Sequence, residues 1–129
     1  DALIDPEAMM QVLTNLLANA VDATKHLPSP EIRIVTRYSF GASLSAQGQT
    51  AAIRLPIQIM VCDNGPGVPP ELEREIFSPF VSTKKEGQGL GLALVKKLMR
   101  DMNGRIRYDR ENHEEMSRFT LFLPVAPKS

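Results

Sequence analysis

Residues 86–97 read EGQGLGLALVKK. Gly87, Gly89 and Gly91 alternate with Gln88 and Leu90, then run into an apolar pattern of helical period. Glycines that open a helix suggest a phosphate site, because the first N–H groups of a helix have no partner inside it. The spacing decides which fold is in question. A dinucleotide-binding fold needs G-x-G-x-x-G directly after a strand. Here the spacing is G-x-G-x-G and the preceding residues are polar. A P-loop needs G-x-x-x-x-G-K-[ST], and no such string occurs in the chain. Taken alone, the stretch leaves a flexible helix entry without a ligand as an open alternative.

Outward from this stretch, residues 91–103 form one helix, with Gly104 at the expected left-handed stop. Toward the N-terminus, DNGPGVPP (63–70) is a turn cluster, ELEREIF (71–77) a short helix, and SPFVSTKKEGQ (78–88) a polar, irregular segment. The segment 78–88 has few apolar anchors and is expected to be mobile until a ligand orders it. IQIMVC (57–62) is a continuous apolar run that reads as a buried strand, and EIRIVTRY (31–38) alternates like a strand. Between them, residues 39–56 are poor in bulky apolar side chains and read as a long connection. RIRYD (105–109) and FTLFLPV (119–125) are strands joined by the charged turn RENHEEMS.

The N-terminal helix starts at Asp5-Pro6-Glu7. Asp5 caps, Pro6 suits the first helical position, and Glu7 favours the positive end of the dipole. The helix is predicted to run to about Lys25, with Leu13, Leu16, Leu17 and Ala20 on its apolar face. Asn15, Asn19 and Asp22 form a polar stripe beside it. Two one-sided helices and consecutive strands joined by turns predict an α+β fold. It is a two-layer α/β sandwich, a mixed, mostly antiparallel sheet covered on one face by helices.

Composition narrows the function. Fifteen basic and fifteen acidic residues cancel, which removes any global electrostatic drive toward nucleic acid or an anionic membrane. The single Cys62 excludes an internal disulfide and lies in an apolar run, where it reads as a small buried hydrophobe. Neither this cysteine nor His26 and His113 has zinc spacing. A length of 129 residues suits one domain, here spanning 1–129. The first residues, DALIDPEAMM, look like the interior of a longer protein.

Two further segments add chemistry. Asp63 ends an apolar strand, where a carboxylate can accept from an exocyclic amine, and Gly65 and Gly67 allow a flat ring near the backbone. A plain tight turn is the competing reading. Asn15 and Asn19 sit one helical turn apart and offer amide oxygens, hard ligands suited to Mg²⁺. A solvated helix face is the competing reading there.

Together these segments resemble the ATP-binding fold (the GHKL or Bergerat fold) shared by histidine kinases, DNA gyrase, Hsp90 and MutL. NLLANAVDA (15–23) resembles its asparagine box and DNGPGVP (63–69) its first glycine box. IFSPF (76–80) resembles its phenylalanine box and GQGLGLALV (87–95) its second glycine box. The match is in order and covers about residues 5–124. Within the group, PFVSTKKEGQGLGLALVKKL and DNGPGVPPELEREIF look like the nitrogen-regulation branch of two-component sensor histidine kinases.

The resemblance implies the following roles. Asn19 would hold Mg²⁺ bridging the ATP phosphates, with Asn15 supporting it. Asp63 would bind the adenine amino group, beside Gly65 and Gly67. Phe77 and Phe80 would anchor a lid, and Gly87, Gly89, Leu90 and Gly91 would close over the phosphates. Lys84 or Lys25 would reach a phosphate. Two departures stand out. Gln88 replaces a common Thr, and Met116-Ser117 replaces a common Gly-Thr, leaving Ser117 to offer a hydroxyl near adenine.

Gyrase-like relatives carry a glutamate that activates water at the position of Asn15. An amide is no general base near neutral pH. The resemblance therefore implies a protein-histidine kinase domain that holds ATP for transfer. The acceptor histidine would lie on a separate dimerisation domain, because neither His26 nor His113 resembles the acceptor motif. Its expected partners are that domain and, through the full-length kinase, a response regulator. The expected setting is cytoplasmic, with a monomeric isolated domain inside a homodimeric kinase. The alternatives are an ATPase clamp of the gyrase or MutL class and a non-catalytic module that has lost nucleotide.

Overall fold

The computed structural model describes residues 5–38, 55–78, 91–111 and 113–124. Helix α1 spans Pro6–Thr24 and starts as its sequence requires. The Asp5 carboxylate accepts from the Glu7 and Ala8 amides at 3.0 and 3.4 Å, and Pro6 occupies the first turn. Its buried ladder is Val12, Leu16, Ala20 and Thr24, spaced i+4, whereas Leu13 and Leu17 are half-buried beside it. Thr24 is accommodated in the core because its hydroxyl donates to the Ala20 carbonyl at 2.9 Å.

Four strands follow: β1 (Ile32–Tyr38), β2 (Ile57–Asp63), β3 (Arg105–Glu111) and β4 (Met116–Leu123). They form one sheet in the order β1-β2-β4-β3, and every described pair is antiparallel. The sheet expected as mixed is therefore wholly antiparallel among the described residues. Helix α2 (Gly91–Asp101) packs against α1 and β3, and α1 packs against β2. The core lies between the layers. Val12, Leu16 and Ala20 of α1 and Val95 and Met99 of α2 meet Val61, Phe119, Leu121 and Leu123 of the sheet. The open face carries a smaller cluster of Met60, Cys62 and Met116, with Val35 against it. Cys62 is buried there, and burial pushes its thiol pKa up, in keeping with a packed hydrophobe.

Three local expectations change. Residues 71–77 do not form a helix; one 3₁₀ turn spans Pro70–Leu72, and i→i+3 closures continue to Ser78. Pro69 and Pro70 lack amide donors, and Ile76 alone of the segment is buried, so little packing favours an α-helix. The left-handed residue that ends α2 is Asn103, at φ 61°, not Gly104. The Gly104 amide reaches back to the Met99 carbonyl at 2.8 Å and Asn103 to Arg100 at 2.9 Å, a paired C-terminal cap. Gly104 is required for another reason: a Cβ there would stand 2.5 Å from the Phe122 carbonyl oxygen. Finally, β3 and β4 extend into the charged stretch 110–117, which the sequence reading leaves as a turn. Of the connection read as a long flexible link over 39–56, residues 39–54 lie outside the described residues, as does the segment 79–90, whereas Leu55 and Pro56 are buried.

Candidate functional site

Asp63 is the last residue of β2, the second strand of the sheet. Its side chain is on the helix-covered face, in the same register row as Ser117 of β4 and Arg110 of β3. It is 5% exposed. Burial raises its pKa, partly offset by the Gly65 amide, which donates to Oδ1 at 2.8 Å, and by the Arg110 charge. A carboxylate held this way offers a partly desolvated acceptor at the end of a strand.

The glycines after Asp63 mark close approaches. A Cβ on Gly65 would lie 2.8 Å from the Ala23 carbonyl oxygen of α1. Gly67 has φ +80°, and a Cβ there would lie 2.9 Å from Arg110, Ser117 and Tyr108 atoms alike. Between Asp63 and Gly65, Asn64 secures the other flank. Its Oδ1 accepts from the Glu31 amide at 2.8 Å, and its Nδ2 donates to the Ser29 carbonyl at 2.9 Å.

Along α1, Asn15, Asn19 and Ala23 follow at i+4 spacing and so line one stripe. Each end of that stripe meets a glycine. Asn15 Nδ2 donates to the Gly91 carbonyl at 3.4 Å, at the start of α2, while Ala23 backs Gly65. Asn19 sits midway, about 6 Å along the helix from either end. The Asn15 Oδ1 is occupied by Gln11 Nε2 at 2.9 Å, so its amide braces the two helices. No group of three or more His, Cys, Asp or Glu that could hold a metal occurs among the described residues. A cation here would take amide and ligand oxygens, the donor set that Mg²⁺ accepts alongside water.

The remaining expected residues divide. Phe77 is half-buried, edge-to-face on Phe119 with ring centroids 6.2 Å apart, and Lys96 Nζ is 5.8 Å from its centroid. Lys25 pairs with Asp22 at 2.8 Å. Gly91 is exposed, and a Cβ there would meet nothing within 4 Å. The Ser117 hydroxyl is engaged by Arg110 at 3.0 Å and Tyr108 at 3.4 Å. Phe80, Lys84, Gly87, Gly89 and Leu90 lie outside the described residues. The sequence reading missed Asn64, Tyr108 and Arg110. The alternation of RIRYDR carried the signal for the last two, since residues 108 and 110 share a face once the strand is extended.

The chain is 41% identical over 120 residues to the sensory histidine kinase/phosphatase NtrB of Rhizobium leguminosarum bv. phaseoli, covering 93% of this chain and 31% of that protein. It spans about a third of the length of the curated relatives it matches. Among solved structures, the catalytic domain of histidine kinase ThkA superposes with a TM-score of 0.70 at 32% identity, over 94% of this chain and 68% of that one. Full-length ShkA in complex with AMPPNP gives a TM-score of 0.68 at 29% identity, over 95% of this chain and 22% of that one. The model of histidine kinase-, DNA gyrase B- and HSP90-like ATPases matches residues 4–127, and the chain belongs to that family.

Proposed function

We propose that this domain binds Mg·ATP and presents the γ-phosphate to a histidine on a separate dimerisation domain, within a cytosolic sensor kinase of the nitrogen-regulation type. One observation carries the reading. A single stripe of α1 links the Asp63 loop at Ala23 to the start of α2 at Asn15, with Asn19 between them. A ligand with a base at one end and phosphates at the other fits that arrangement. The resemblance of the chain to the AMPPNP-bound ShkA protein supports the same assignment.

In this reading Asp63 accepts from the exocyclic amine of adenine, and the glycines at 65 and 67 leave room for the ring. Asn19 supplies an amide oxygen to Mg²⁺, and Asn15 holds α1 against α2. Gly91, with Gly87, Gly89, Leu90 and Lys84 assigned on sequence, serves the phosphates, and Phe77 with Phe80 anchors the segment between. Bound Mg²⁺ supplies charge neutralisation for phosphoryl transfer. The chain's own contribution is positioning. Asn15 offers no base for water, which argues against the clamp-type ATPase.

The test is calorimetry of Mg·ATP on the wild type, Asp63→Asn and Asn19→Ala, followed by radiolabelled ATP with the isolated phosphoacceptor domain. We expect wild-type binding, loss of about 100-fold or more in Asp63→Asn, and weakened Mg-dependent binding in Asn19→Ala. Label should move to histidine without rapid phosphate release. Absence of binding by the wild type refutes the proposal; fast release without transfer supports the clamp.

A further inference from the structure

The loop after β2 is gripped by side chains from the far edge of the sheet, on the same face as Asp63. Arg110 Nη1 donates to the Gly65 carbonyl at 3.0 Å and to Ser117 Oγ at 3.0 Å. Its Nη2 donates to the Glu115 carbonyl at 3.1 Å. Two residues earlier on the same face, the Tyr108 hydroxyl accepts from the Val68 amide at 3.0 Å and stands 3.4 Å from Ser117 Oγ. The Tyr108 ring is itself seated on Phe119, with centroids 5.0 Å apart. The glycine at 67 lets the loop close down on all three side chains.

These bonds form a chain. Asp63 Oδ1 accepts from the Gly65 N–H, and the carbonyl of the same residue accepts from Arg110. A guanidinium with three acceptors in fixed directions cannot swing as a surface arginine does. Fixing Gly65 fixes Oδ1 as the occupied carboxylate oxygen.

We propose that Arg110, with Tyr108, is a positioning residue for recognition of the base: the pair locks the 63–68 loop so that Asp63 presents one oxygen to an exocyclic amine. The inference rests on the nucleotide-site reading above. Its consequence is selectivity. A base with an amine at that edge pairs with the carboxylate, and a base with a carbonyl there, such as hypoxanthine, does not. The Arg110 charge also favours the ionised carboxylate against the effect of burial.

The test compares Mg·ATP with Mg·ITP by calorimetry on the 129-residue chain. Arg110→Met should weaken ATP binding about tenfold and Tyr108→Phe about threefold, with ITP affinity changed by less than about twofold. Arg110→Lys, which keeps the charge but not the planar fork, should recover only a minor part of the loss. Tyr108→Phe keeps its ring contact, so it carries the test if Arg110→Met fails to fold. An ATP-to-ITP ratio unchanged from wild type overturns the inference. So does an equal loss for both nucleotides, which marks a purely structural role. Wild-type chain that binds neither nucleotide overturns the site reading itself, a separate outcome from wild-type binding with indifferent variants.

Discussion

A buried carboxylate at the end of a strand costs stability. Burial raises the Asp63 pKa above its ordinary value. The folded chain therefore holds that proton more tightly than the unfolded chain. Stability falls as pH rises from about 4, the unfolded value, through the raised folded value, and stays lower above it. Asp63→Asn keeps an oxygen for the Gly65 amide and removes the charge. Without nucleotide it should raise the unfolding midpoint relative to wild type at about pH 7, with the gap closing near pH 4. Circular dichroism melts across that range measure it; a midpoint lowered at all pH values would show that burial of the charge is not the governing effect. The same substitution should lose ATP, the stability–function opposition expected of a binding residue.

At the scale of elements, residue type and local geometry agree at some boundaries and part at others. The Asp5-Pro6-Glu7 start of α1 is legible because every interaction in it is local. The end of α2 is legible only as a stop. Asn103 adopts the left-handed conformation, and Gly104 is dictated by the Phe122 carbonyl, almost twenty residues away along the chain. Gly104→Ala should cost about 1–3 kcal/mol by urea denaturation, because backbone rather than a yielding side chain blocks the new methyl. The strands β3 and β4 run on into the charged stretch that looks like a turn. Glu111 accepts from the His113 and Glu114 amides, both at 2.9 Å, and closes the connection tightly. Arg118 grips Asp109 across the ladder at 2.9 and 2.6 Å. Charge there is a cross-strand device, and polarity alone cannot distinguish it from a loop.

At the scale of the whole molecule, among the described residues one core joins both helices to the sheet, and the proposed site lies where they meet. Leu16 is 1% exposed in that core, on the helix that carries Asn15 and Asn19. Leu16→Ala should cost about 2–5 kcal/mol, against a total of about 5–15 kcal/mol for an ordinary domain. Chemical denaturation reads the loss. Saturating Mg·ATP should recover part of it by binding only the folded state. A small loss, under about 1 kcal/mol, would mean that α1 docks less tightly than its burial shows.

The sequence by itself determined the two one-sided helices, the four strands and the four ordered motifs. Periodicity, caps and glycine spacing are local properties, and the motifs lie within short stretches. It also pointed to Asp63, Asn15 and Asn19, because a carboxylate ending an apolar strand and amides one turn apart are visible without coordinates. Only the tertiary structure decided that Ala23 and Asn15 set Gly65 and Gly91 at opposite ends of one helical stripe. Only it brought Arg110, Tyr108 and Ser117 onto the loop at 63–68. Those contacts span up to 76 residues of chain and depend on sheet register. Register is set by the burial of whole strands against two helices, and no short string of residues encodes it.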